Sequence, residues 1–132
     1  ATSSKGTALA SSDVYQCLNI PAESVILHAG LEVTALLTGT SSDTGYDLGI
    51  TGGDVDNFVD GFDADGAAVG DYAPTSAAYA PVMVGAADTL DILVAAQTGT
   101  TLTGKIRVFA TLMDVSDVGD TSANEVDRDT LA

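Results

Sequence analysis

The chain has 132 residues, with 19 Asp or Glu against only four Lys or Arg, so its formal net charge is −15 at pH 7. Nucleic-acid binding needs clustered cations to displace the counterions of the phosphate backbone, and residues 6–104 contain no Lys or Arg, which excludes that class. The charge also disfavours anionic membrane surfaces, no run of about 18 apolar residues is present to span a bilayer, and the length fits a single domain.

The N-terminal segment, residues 1–12, is small and polar. Its first residues have neither the basic stretch nor the apolar stretch of a signal peptide, and an initial Ala fits removal of an initiator Met. We therefore expect synthesis in a cytoplasm. We also expect these residues to form an extended arm, which either docks on another protein chain or folds back onto its own domain.

From residue 13 to residue 115, apolar residues recur with a period of two, which is typical of half-buried strands. In chain order, strands are predicted over residues 14–20, 24–28, 31–37, 46–50, 57–62, 79–84, 89–94 and 104–115. Turn signals rich in Gly and Pro separate them, including one at Ala29-Gly30. About eight short strands with such punctuation predict an all-β domain, an antiparallel β-sandwich of which a jelly roll is one form.

The last predicted strand has two different faces. One is apolar, and the other mixes charge with bulk: Lys105, Arg107, Phe109, Thr111 and Met113. Such a mixed face is typical of a strand whose second face meets a neighbour. We expect Lys105 and Arg107 to pair with carboxylates, either of this chain or of a neighbouring subunit's acidic arm, because cations tend to pair within an excess of acids. The alternative is a site for an anion or a sugar acid.

The C-terminal segment, residues 116–132, has the acidic composition of a disordered tail. We expect it to form a second arm, which either docks on another protein chain or folds back onto its own domain. Lys5 and Arg128 lie in the two arms. Together with Lys105 and Arg107 they are the predicted contacts with other subunits.

The densest polar cluster lies in residues 54–71. If Gly66 were the turn glycine of a calcium-binding EF-hand loop, the first position would be Gly61 and the twelfth Tyr72, so that template fails. Solvated turns that use Asp and Gly for their backbone geometry explain the run, and we predict no metal site. The weaker alternative is calcium binding by Asp54, Asp56, Asp60, Asp63 and Asp65, with Asp71 beyond them.

The sequence predicts neither catalytic residues nor a cofactor. The chain has one His and one Cys, and no nucleophile elbow, phosphate loop or dinucleotide fingerprint. His28, at the end of a predicted strand, is interpreted as structural, and Cys17 as a small buried hydrophobe. We therefore expect that the protein is not an enzyme.

Six segments carry a resemblance to a known family: Asp13–Ala22 (DVYQCLNIPA), Ala29–Ala35 (AGLEVTA), Tyr46–Ile50 (YDLGI), Phe58–Asp63 (FVDGFD), Ala86–Ile92 (AADTLDI) and Gly104–Ala110 (GKIRVFA). In this succession the chain resembles the capsid decoration proteins of tailed bacteriophages, also called cement or auxiliary head proteins. The resemblance covers residues 12–116 and rests on strand patterning and Asp-Gly turns.

The resemblance implies a β-rich virion protein without catalysis. Such proteins lie on the outer surface of the capsid and form homotrimers that bridge neighbouring major capsid proteins. The implied partners are thus the major capsid protein and further copies of this chain, with no nucleic acid and no membrane. The family has no site motif to transfer, so the capsid contacts expected at residues 2–10, residues 117–131 and the Lys105/Arg107 face rest on charge and position.

The alternative function is a calcium-assisted carbohydrate-binding or adhesin β-sandwich on a phage tail or fibre. Its calcium would be held by the Asp54 to Asp65 segment. Sugar-binding platforms normally stack aromatic side chains on the sugar ring, and this chain has no Trp and four Tyr. That composition disfavours the alternative, which chelator-sensitive glycan binding would support.

Overall fold

The computed structural model describes residues 9–39, 43–50, 52–76 and 81–116. Within these ranges the chain is all β, and no helix there is long and apolar enough to cross a bilayer. The predicted contact residues Lys5 and Arg128, and most of both predicted arms, lie outside the described residues. The strands are β1 (Val14–Ile20), β2 (Ser24–Gly39), β3 (Asp43–Ile50), β4 (Val59–Asp63), β5 (Tyr72–Ala73), β6 (Val82–Val84), β7 (Asp88–Thr98) and β8 (Thr101–Asp114).

The strands form two antiparallel sheets. In the first sheet the order is β1-β7-β3-β4, so that β7 and β3 are central. In the second sheet β2 is central: β8 pairs with it along nearly its whole length, and β5 and β6 pair with shorter stretches. Because a strand has two edges, β6 and β5 follow one another along the edge opposite β8. The predicted all-β antiparallel class is confirmed, while the jelly-roll arrangement stays a prediction.

The apolar core unites the two sheets. The second sheet contributes Ile26, Ala29 and Leu31, and the first contributes residues such as Leu48 and Leu90, all of them with no measurable exposure. Burying one such Leu or Ile side chain contributes about 1.5–3 kcal/mol relative to leaving it in water. Burial along β2 follows the period of two that the sequence pattern predicts for a β-sandwich, except at the bulge between Ile26 and His28.

One predicted turn is wrong. The sequence places a turn at Ala29-Gly30, but β2 runs through both residues and joins two predicted strands into one. Ala29 pairs with Ala110 and Gly30 with Phe109. A Cβ added to Gly30 would lie 2.5 Å from the Ala73 carbonyl oxygen and 2.6 Å from Cζ of Phe109. Gly30 therefore allows the Ala73 carbonyl group and the Phe109 ring to lie close to the β2 backbone.

Candidate interaction surface

The second sheet has an exposed side, which we call the outer face. It is the side turned away from the core, and eight residues define it: Val25, His28, Glu32, Met83, Lys105, Arg107, Phe109 and Met113. The assignment follows from strand alternation. Ile26, Val82, Val84, Ile106 and Val108 all pack in or against the core, so their sequence neighbours point the other way.

An apolar row crosses the outer face. Val25 is paired with Met83 of β6 on one side and with Met113 of β8 on the other. Met83 is 58% exposed and Met113 is 46% exposed. Residues directly opposite one another on neighbouring strands are close enough for their side chains to touch. The three side chains thus form one apolar strip across three strands.

An aromatic pair lies further along the same face. The ring centroids of His28 and Phe109 are 5.9 Å apart and the ring planes are 17° from parallel, so the rings stack. The Phe109 ring lies over Gly30, where a side chain would collide with it. His28 lies inside β2 and not at a strand end, because β2 continues beyond the predicted turn. The stack extends the apolar strip along β2 and β8.

An ion pair follows the aromatic stack. Arg107 is the register partner of Glu32, and its Nε donates a hydrogen bond to Glu32 Oε2 at 3.0 Å, while Nη2 also contacts that oxygen. The observed partner of Arg107 is thus a carboxylate of its own chain. Exposed pairs of this kind contribute about 0.2–1 kcal/mol to stability. On the other side of Glu32 lies Tyr72, which is largely exposed.

Positive charge in the described part of the chain is confined to this sheet. Lys105 and Arg107 are the lysine and arginine residues of the described ranges, and both lie on β8. They flank Ile106, which packs against the core, so both point towards the outer face side. The outer face therefore carries two cations, Lys105 and Arg107, and one carboxylate, Glu32. The net charge of the whole chain is −15.

The acidic segment lies in β4 and the turns around it, and its C-terminal end reaches β2, where the Val33 amide donates to the Asp71 carbonyl oxygen at 2.9 Å. Asp63 Oδ1 accepts a hydrogen bond from the Asp65 amide at 2.9 Å, and Asp71 Oδ2 accepts one from the Ala68 amide at 2.7 Å. Carboxylates that bind nearby amides in this way shape turns. An open cavity of about 490 Å³ lies beside them, lined by Phe62, Asp63, Asp65, Gly66, Ala67, Gly70, Asp71 and Tyr72.

The proposed calcium ligands do not converge. Within the described ranges, no group of three or more His, Cys, Asp or Glu side chains is placed to hold a metal ion. Asp54 and Asp56 share a hydrogen bond in the turn after β3, and this bond raises the pKa of Asp54. Asp60 and Asp63 belong to β4, and Asp65 to the following turn.

Asp47 is a buried carboxylate on β3, 7% exposed. Burial raises its pKa, the hydrogen bond that Oδ1 accepts from the Gly61 amide at 2.7 Å lowers it, and the negative charges of Asp60 and Asp56 raise it further, for a net rise. The folded state therefore binds a proton more tightly at Asp47 than the unfolded chain does. Stability from this group is present at low pH and is lost as the pH rises through the raised pKa.

We expect Asp47→Asn to stabilise the protein at neutral pH. Asn retains an oxygen that accepts the Gly61 hydrogen bond but carries no charge to desolvate. Urea denaturation across a pH series should show the variant gaining on wild type as the pH rises above the ordinary carboxyl range. Asp65→Asn, at an exposed turn, controls for the general relief of negative charge. Equal pH profiles for the two variants would contradict this assignment.

Cys17 is half-buried and packs against the core. Its Sγ donates to the Tyr15 carbonyl oxygen at 3.2 Å. Burial raises the pKa of the thiol, and the nearby Asp91 charge adds to that effect, against a hydrogen bond with the Ile92 backbone. A raised pKa leaves little thiolate at neutral pH, which is the state of an unreactive cysteine.

Comparison with known proteins relates the fold to a phage capsid. No family model and no curated protein match the chain. A chain from the capsid of Ralstonia phage GP4 is similar in structure, with a TM-score of 0.57 and 16% sequence identity, and the match covers 81% of this chain and 76% of that one. The two chains share a fold.

Only one strand of this surface is predictable from the sequence. The mixed face of β8, with Lys105, Arg107, Phe109 and Met113, was predicted. Val25 and Met83 were not, because their place beside Met113 depends on which strands are neighbours in the sheet. The alternation in Val82-Met83-Val84 indicates that Met83 points away from its neighbours, but it does not reveal which side is the core.

Proposed function

We propose that this protein is a non-enzymatic structural component of a phage virion. In this role it decorates the outer surface of the capsid as a homotrimer, and it stabilises the shell by bridging neighbouring major capsid proteins. The observation that carries the proposal is the fold shared with a chain of the Ralstonia phage GP4 capsid, over 81% of this chain. The segments that resemble decoration proteins support the finer role.

The charge of the molecule supports an outer location. A chain with a net charge of −15 is repelled by packaged nucleic acid. The same charge prevents copies on the outer surface of the capsid from sticking to free nucleic acid or to anionic cell envelopes. The apolar strip of the outer face supports a contact role, since most large exposed apolar patches mark interaction sites.

Stabilisation of a shell does not require a strong single contact. A trimer that engages several capsid subunits at once gains about 10²–10⁴-fold in overall affinity from linkage alone. A modest interface per subunit therefore suffices. The effect is lost when the geometry prevents simultaneous engagement, which makes the position of the protein on the lattice the decisive observation.

Cryo-electron microscopy of virions from the phage that encodes this chain tests the proposal directly. We expect density for the chain to repeat across the capsid lattice at junctions between capsomers. Virions that lack the protein should release their DNA at a lower temperature, and adding purified protein should restore the wild-type temperature. Density confined to the tail would contradict the proposal and favour the adhesin alternative, and absence from the particle would contradict both.

A further inference from the structure

We propose that the outer face binds a second copy of this chain. The inference deepens the proposed function, on which it rests for the expectation that the protein acts as an oligomer. It assigns the contact between copies to one surface: the strip formed by Val25, Met83 and Met113, with Phe109 beside it and the Arg107–Glu32 pair beyond.

The strip has the composition of an interface core. The outward side of an antiparallel sheet in a soluble protein is normally polar, whereas here Met83 and Met113 are 58% and 46% exposed on either side of Val25. Met and aromatic residues are enriched in the buried centres of protein interfaces. Methionine is also flexible, so it fills the irregular gaps between two sheet surfaces.

Rigidity favours binding at this place. Val25 belongs to β2, which is held by β6 on one edge and by β8 on the other. Gly30 lets the Phe109 ring lie close to the sheet, where its stack with His28 fixes the ring. Side chains that are already ordered lose little conformational entropy on association.

Charge identifies the occupant as another copy. The chain carries a net charge of −15, and two such molecules repel one another over most of their surfaces. The outer face is different, because it holds the Lys and Arg of the described ranges, and Lys105 remains as a surplus positive charge beside the Arg107–Glu32 pair. It is therefore the part of the described surface that attracts an acidic partner, and a second copy of this chain is such a partner. The surrounding charges then set the orientation, as polar rims do in other interfaces.

Sedimentation velocity of the full chain tests the assignment. Wild type is expected to sediment as an oligomer, and Met83→Glu and Met113→Glu are each expected to weaken association by at least about tenfold, because burying an unpaired carboxylate costs more than about 1.4 kcal/mol. Val55→Glu is the matched control: Val55 is 41% exposed in the turn that folds over β3 of the other sheet, and this variant should stay oligomeric.

Folding and particle binding are measured alongside. Circular dichroism should show the same β content in all variants, and Arg107→Glu provides a second, purely electrostatic variant whose weaker association should recover partly at high salt. A monomeric wild type, or Met83→Glu and Met113→Glu variants as oligomeric as Val55→Glu, would overturn the inference. So would variants that stay oligomeric but no longer bind capsids, since the face would then contact the shell. Wild type that associates through the face but never binds capsids would leave this inference standing and refute the proposed function.

Discussion

Replacing Gly49 by Ala is expected to destabilise the protein by about 2–3 kcal/mol, in the range of overpacked buried sites. Gly49 is buried within β3, and the turn after β3 folds back over it. An added Cβ would lie 2.5 Å from the Val55 carbonyl oxygen and closer still to that of Asp54. Both obstacles are backbone atoms, so no side-chain rotation relieves the collision.

The turn over Gly49 cannot easily move away. The Ile50 amide donates to the Asp54 carbonyl oxygen at 3.1 Å, and the Gly53 amide donates back to the Ile50 carbonyl oxygen at 3.0 Å. Displacing the turn breaks these bonds. Urea denaturation measures the effect, with Gly85→Ala as control because no atom lies within 4 Å of a Cβ there and its φ is not positive. A Gly49→Ala variant as stable as Gly85→Ala would contradict this account.

Truncating Leu48 to Ala should cost about 3 kcal/mol of unfolding free energy, and lower the melting temperature by roughly 10 °C. Leu48 lies on β3 with no exposure, and it is among the core residues that both sheets surround. Removing its side chain loses the transfer free energy of the deleted atoms and leaves a cavity. The rigid sheets on both sides limit how far that cavity can collapse.

Leu36→Ala is the matched comparison for this prediction. Leu36 lies on β2 and is 52% exposed, so the same change in the same kind of element should alter stability by no more than about 0.5 kcal/mol. Thermal unfolding followed by circular dichroism distinguishes the two variants. Similar losses for Leu48→Ala and Leu36→Ala would mean that the core does not lie between the two sheets.

The alternation of side chains predicts where most strands lie, but not how they pair. β1 has the predicted bounds, β7 contains its predicted segment, and β8 covers its predicted segment except for residue 115, which lies just beyond the end of the strand at Asp114. β2 was divided in error because Gly next to a small residue is also a common turn signal, and sequence does not show that Phe109 needs the space at Gly30. β5, at Tyr72–Ala73, was missed because two residues are too few to show a period.

The candidate surface was predictable only within a single strand. Lys105 and Arg107 were recognised on one face of β8 because positions two apart share a face. That Arg107 meets Glu32 depends on pairing between residues 75 apart, and that Met83 lies beside Val25 depends on the place of β6 in the sheet. These neighbours arise from the topology, which local patterns do not encode.

The pairing of β2 with β8 joins the second of the described strands to the eighth. A growing polypeptide folds from its N-terminus as it emerges, yet β2 has no β8 to pair with until synthesis has passed residue 114. Ile26, Leu31 and Val33 of β2 must stay partly unprotected during that time, and closing so long a loop makes folding slow. The outer face comes into being at the same late step, because β8 supplies Met113 and Arg107. A nascent chain that lacks β8 therefore also lacks two of the residues through which we propose that copies associate.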